Sequence, residues 1–141
     1  MSRLLLRTTA AALGALALSA GAALAHHSFA MFDFTRTVQL KGVVREFQWT
    51  NPHVVLWLVP EPGQGPGQGA AADSWTIELT SPGNLTRLGW SKRSLKPGDR
   101  VTVEVNPLRD GKSGGAFRKA VLADGQVLTA SLRDQERPKA P

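Results

Sequence analysis

From Thr37 to Leu128 short apolar runs alternate with turn-forming residues, the spacing of an all-β domain. Ser74 to Thr80 is the cleanest run: Trp75, Ile77 and Leu79 share one face and Thr76, Glu78 and Thr80 the other, which predicts a half-buried strand. Arg100 to Asn106 repeats the pattern, with Val101, Val103 and Val105 inward and Thr102 and Glu104 outward. Thr37 to Trp49 is longer and changes phase, because Val38, Leu40 and Val44 have one parity and Val43, Phe47 and Trp49 the other. A switch near Gly42 predicts a bulge or sharp coil there, letting one strand serve both halves of a small barrel. His53 to Val59 is apolar at almost every position and is expected to be covered on both faces for much of its length. Ala116 to Ala123 and the short return Val127-Leu128, joined by the Asp124-Gly125 turn, complete the strands.

The punctuation between these runs is specific. Trp49-Thr50-Asn51-Pro52-His53 forms a tight corner between the first two strands, with turn chemistry from Asn51-Pro52. Ser81-Pro82 reads as an N-cap followed by proline at the first helical position, Leu85 and Leu88 fall on one stripe, and Gly89 ends a short helix. Trp90 then plugs a barrel end or covers the helix. Lys96-Pro97-Gly98-Asp99 launches the fourth strand. Three strands, a short helix and two further strands match a small OB-like five-stranded barrel, with a small β-sandwich as the alternative. In the barrel the ligand face lies on the second and third strands, flanked by the corner and by the loop from Pro107 to Gly115.

The ends of the chain change the picture of where this domain works. Residues 1–25 read as a signal peptide, with Arg3 and Arg7 in the n-region, an apolar stretch from Thr9 to Ala20, and Ala23-Leu24-Ala25 as a small-x-small cleavage site. The expected location is therefore periplasmic. The apolar stretch is too short and alanine-rich for a membrane span, and nothing later approaches the roughly 18 apolar residues that a span needs. Residues 26–36 are expected to be an arm whose Phe29, Phe32 and Phe34 pack it onto a single domain over 37–130. Within that domain 60–72 is a low-complexity Pro/Gly/Gln loop, and 131–141 reads as a disordered tail.

Taken together, His26-His27-Ser28-Phe29, Trp49-Thr50-Asn51-Pro52-His53, Ser81-Pro82-Gly83-Asn84-Leu85, Arg87-Leu88-Gly89-Trp90, Leu95-Lys96-Pro97-Gly98-Asp99 and Asp124-Gly125 resemble a family of small exported bacterial proteins, catalogued as domain of unknown function 6152. The likeness spans essentially the whole mature domain and implies no activity.

Composition narrows the chemistry. There is no Cys or Tyr and there are three His, so no disulfide is available and few nucleophile sets can be assembled. No Gly-x-Ser-x-Gly elbow is present, Glu46 and Glu78 fall at outward strand positions where carboxylates are ordinarily solvated, and catalysis is not expected. The net charge is +6, with basic residues concentrated from Arg87 to Lys119. That half reads either as a mixed solvated surface or as a basic face for an anion. An exported protein with its aromatics at core parity is not expected to bind nucleic acid. The expected function is a monomeric binding module, ligand unknown, presenting Trp49, Asn51 and His53 to a protein, glycan or small anion. The competing expectation is a copper protein. Cleavage after Ala25 would leave His26 with a free α-amine beside its imidazole, and His53 or His27 would complete a nitrogen set suited to Cu(II). Cleavage after Ala23 would instead leave Leu24-Ala25-His26, an amino-terminal tripeptide that also chelates Cu(II). The bland alternative for His53 is a polar residue bonded to loop backbone at a strand start.

Overall fold

The computed structural model describes residues 30–64 and 74–130. The leader, His26 and His27, most of the 60–72 loop and the 131–141 tail lie outside the described residues. The unit that carries the fold begins at Phe32. Its elements are β1 (Val38–Gln48), β2 (Val55–Pro60), β3 (Trp75–Glu78), α1 (Pro82–Arg87), β4 (Arg100–Pro107), β5 (Gly114–Leu122) and β6 (Val127–Thr129).

The strands hydrogen-bond in the order β3-β2-β1-β4-β5-β6, and β3 also pairs with β5 in parallel. That last pairing, Thr76 with Gly114 through Glu78 with Ala116, closes five strands into an OB-type barrel. The closure distinguishes it from the two-layer sandwich that strand count alone also allowed. Trp75, Ile77 and Leu79 are buried, as are Val101, Val103 and Val105, so the two alternating runs point inward as their patterns predict. Leu40, Val44, Val54, Leu56, Leu58 and Leu85 fill the same core. At about 25 cal/mol per Å² of apolar surface removed from water, this interior is the main term holding together a domain with no disulfide.

β1 is the strand shared by both halves. Val38 to Val43 pairs with β4, whereas Gly42 to Gln48 pairs with β2, so the exchange of partners falls at Gly42 and Val43. The bulge is not there. The register slips between Val44 and Glu46, which puts the extra residue at Arg45. Gly42 has a different reason to be glycine: a Cβ at that position would overlap the Val59 carbonyl oxygen and stand 2.9 Å from Pro60 Cα. The crossing strands are simply too close for a side chain.

β2 corrects a second expectation. Val54, Leu56 and Leu58 are buried but Val55, Trp57 and Val59 are only half-buried, so the strand has one core face and one outer face. An unbroken apolar run did not mean cover on both sides.

The helix follows its capping signals. Ser81 Oγ accepts from the Asn84 amide at 3.3 Å, and Pro82 opens the first turn. At the other end Gly89, with φ +85°, reverses the chain, so that the Gly89 and Trp90 amides donate to the carbonyls of Thr86 and Leu85 at 3.0 Å each. This reversal aims Trp90 into the barrel end, where its ring meets Phe47 at 6.1 Å and Phe117 at 5.4 Å between centroids. At the amino-terminal side of the unit, buried Phe32 forms a bridge with Leu108, and the Asp33 amide donates to the Pro107 carbonyl at 2.8 Å.

Candidate functional site

Strand register assembles the outer face of β2 and β3 row by row. Glu46 of β1 stands opposite Trp57, which stands opposite Thr76; one row further on, Gln48 is opposite Val55 and Val55 opposite Glu78. His53 lies two residues before Val55 and therefore on this same face. Its ring is fixed by Glu78, whose Oε1 contacts Nδ1. Both side chains are about one-third exposed, 34% and 29%, so the pair is neither sealed in the core nor loose in water.

The partner of His53 is therefore a carboxylate on the neighbouring strand, not loop backbone. Glu78 sits on the outward face as its parity predicts, but it is engaged and not merely solvated. The two residues are 25 apart in the chain, and only the β2–β3 register joins them. The Val54 amide donates to Thr80 O at 3.2 Å and the Leu79 amide to Val54 O at 2.8 Å, which locks the start of β2 to the end of β3 directly beneath the pair.

The other corner residues go different ways. Trp49 turns away from the outer face to pack on Phe47, 5.9 Å between centroids, as part of the aromatic cluster that closes the barrel end. Asn51 and Pro52, joined by a cis peptide bond, are exposed at the tip. Among the described residues no hydrogen bond connects Trp49 or Asn51 to His53. The site residue that sequence reasoning missed is Trp57, half-buried in the middle of the face between Glu46 and Thr76. Its signal was present in the alternation of β2, hidden because both parities of that strand are apolar.

Gly114 and Ala116 of β5 continue the two rows beyond β3 with almost no side-chain bulk. A Cβ at Gly114 would come within 2.7 Å of Leu108 Cδ1, so the Leu108 side chain from the β4–β5 loop lies over this glycine. The face is thus a shallow strip, with the His53–Glu78 pair at one end, Trp57 in the middle and Leu108 at the far edge. Among the described residues no three His, Cys, Asp or Glu side chains come together as a metal site. A separate depression of about 190 Å³ lies on the β1–β4–β5 side, where Lys41, Thr102 and Arg100 line it and Arg100 pairs with Glu61 at 3.5 Å.

The strand order, closed by β3 on β5, makes this an all-β protein with an OB-type barrel. The particular family is given by a sequence model described as a family of unknown function (DUF6152), which matches residues 14–118. The chain belongs to that family. No curated protein and no solved structure matches it. Among the described residues no helix is long and apolar enough to cross a membrane.

Proposed function

We propose that this protein is an exported binding module whose ligand meets the outer face of β2 and β3 beside the Asn51–His53 corner. The observation that carries the reading is the His53–Glu78 pair. A carboxylate on Nδ1 orients the imidazole and leaves Nε2, which has no partner among the described residues, available to a ligand. Trp57 and the low-relief row toward Gly114 supply the contact area beside it. Export rests on the leader-like residues 1–25. The chemical classes that suit the face are a protein segment, a glycan or a small anion. The test is a titration of ¹⁵N-labelled mature protein with phosphate, acetate and short oligosaccharides. Shifts centred on Asn51, His53, Val55, Trp57 and Thr76 are expected, and saturable shifts confined to other surfaces would overturn the assignment.

The same pair favours a second reading, copper binding. Histidines that hold metal ions generally give their other ring nitrogen to a carboxylate, and His53 has that arrangement with Glu78. His53 alone is one ligand. The others would come from His26, with its imidazole and a free α-amine if cleavage follows Ala25, or from His27, both outside the described residues. Nitrogen donors of this kind suit Cu(II). A copper titration of correctly processed protein is run beside two variants, one carrying an extra Gly before His26 and one with His53→Ala. Tight binding lost in both variants supports a shared site. Binding no tighter than that of an unstructured peptide with the same amino-terminal sequence sinks it.

A further inference from the structure

The connection from α1 to β4 is built to display cations. Trp90 and Leu95 are buried, 3% and 2% exposed, and they pin the connection to the barrel at two points. Between them the Ser94 amide donates to Ser91 O at 3.0 Å, while Ser94 Oγ accepts from the Ser91 amide at 2.9 Å. That doubly bonded turn holds Lys92 and Arg93 outward at its two central positions. After Leu95 a second turn follows, in which the Asp99 amide donates to Lys96 O at 3.1 Å and Asp99 Oδ2 accepts from the Lys96 amide at 2.8 Å. Gly98 and Asp99 then bond to Val44 of β1, one residue before bulged Arg45. The bulge that departs from the expected position therefore brings a further cation beside this turn.

Exposed cations without an acidic partner are concentrated here, although Lys41 of β1 is another. Lys112, Lys119 and Arg100 each pair with a carboxylate. Arg45, Arg87, Lys92, Arg93 and Lys96 are exposed and have no acidic partner among the described residues. Asp99 is the one acid between Arg87 and Arg100, and its carboxylate is held by the Lys96 amide. The exposed large hydrophobic residues, Met31, Phe34 and Val127, all lie outside this connection, and Trp90 is turned inward. With no aromatic platform for a sugar or base to stack on, recognition of a glycan or nucleic acid is disfavoured. With long cations spread over two tight turns, the surface suits a flat layer of anionic groups.

We propose that the Arg87–Asp99 connection, together with Arg45, is a docking surface for anionic phospholipid headgroups, by which the domain associates with a membrane face without inserting. This role is independent of the Asn51–His53 corner. A basic residue near an anionic bilayer contributes about fivefold in partitioning, and the attraction is screened by salt.

The test is co-sedimentation of the mature protein with vesicles of phosphatidylcholine alone and of phosphatidylcholine mixed with phosphatidylglycerol. Binding is expected on the mixed vesicles only and should fall as NaCl is raised. The triple variant K92A/R93A/K96A should bind about 100-fold more weakly. K92R/K96R should bind like the parent, and so should K112A, whose lysine pairs with Asp110 at 3.1 Å. Equal sedimentation with both vesicle types, or a triple variant that is folded by circular dichroism and still binds fully, overturns the proposal. Tight heparin binding by a protein that ignores the phosphatidylglycerol vesicles would also overturn it, in favour of a soluble acidic glycan.

Discussion

The indole Nε1 of Trp90 donates a 2.8 Å hydrogen bond to the main-chain carbonyl of Thr129, 39 residues further along the chain. Both residues are buried, 3% and 5% exposed. One side chain thereby fastens the turn after α1 to β6, the last strand, while its ring fills the barrel end between Phe47 and Phe117. Among the described residues no buried side-chain polar atom lacks a partner, and the indole nitrogen would have lacked one without Thr129.

Trp90→Phe keeps an aromatic ring but removes the donor, leaving the buried Thr129 carbonyl without this bond and a small void beside Phe117. The expected loss is about 2 kcal/mol, or roughly 10 °C in Tm for a domain of this size. Trp57→Phe, on the half-exposed outer face and with no indole hydrogen bond among the described residues, should cost less than about 1 kcal/mol. Thermal denaturation followed by circular dichroism gives both numbers, and equal losses would remove the special role assigned to the Trp90–Thr129 bond.

Two glycines should respond to alanine with opposite signs. At Gly42 the better strand propensity is worth about 0.5–1 kcal/mol, whereas forcing a Cβ against the Val59 carbonyl costs about 1–3 kcal/mol, so Gly42→Ala should destabilise. At Gly83 in α1 a Cβ would meet nothing within 4 Å, so Gly83→Ala should stabilise by about 0.5–1 kcal/mol. Urea midpoints measured on the two variants decide it. A stable Gly42→Ala protein would mean that β1 and β2 can separate without cost.

Sequence and structure agree where local chemistry and burial ask for the same thing. The alternation of Trp75, Ile77 and Leu79, the capping set from Ser81 to Gly89, and the inward turn of Trp90 are all legible because each depends on neighbours a few residues away. The strand order was readable only as a match to a known barrel plan, since the parallel β3–β5 pairing joins segments with a helix and a strand between them. The bulge was misplaced by three residues because a glycine required by close approach resembles one required by a bulge. In the candidate site, His53 stood out as an isolated polar residue at a strand start. Its partner did not, because an outward glutamate on an alternating strand looks solvated until the register puts it beside a histidine. Trp49 looked like a neighbour of His53 and instead belongs to the plug, as the phase of β1 after Arg45 turns it inward.

Acid should loosen the loops that flank β1 and β4 first. Asp33 is held below its ordinary value of 3.8 chiefly by the Thr35 hydroxyl, which donates to it at 2.6 Å, with help from the Thr35 amide and the charges of Arg109 and Arg36. Asp110 is likewise below 3.8, because the Lys112 amide and then the Lys112 side chain stabilise its carboxylate. A carboxylate depressed on folding contributes stability that is present above its unfolded value and lost as pH falls through its folded value. For both residues that window lies below 3.8. Asp33 is half-exposed and Asp110 exposed, so the effect is a change of slope and not a collapse. A double variant, Asp33→Asn with Asp110→Asn, should show a shallower decline of Tm with falling pH below that value than the parent. Parallel curves for the two proteins would show that neither carboxylate contributes.

The orientation of His53 by Glu78 makes a prediction that binding measurements cannot imitate. A hydrogen bond from Nδ1 to the Glu78 carboxylate requires the proton on that nitrogen, so the neutral ring should be the Nδ1–H tautomer with Nε2 unprotonated. In ¹⁵N-labelled protein, at a pH where the imidazole is neutral, the two ring nitrogens of His53 should report that tautomer as dominant. Glu78→Ala removes the acceptor, and the preference should disappear while the barrel, whose core does not include Glu78, remains folded. Glu78→Gln is the sharper control, because its amide oxygen can still accept from Nδ1–H and should preserve the tautomer without the negative charge. If ligand or copper binding at the corner depends on a presented Nε2, Glu78→Gln should retain much of it and Glu78→Ala should lose it together with the tautomer. A wild-type ring that is protonated on Nε2 would mean that Glu78 does not set the imidazole, and the site would have to be rebuilt around Trp57 alone.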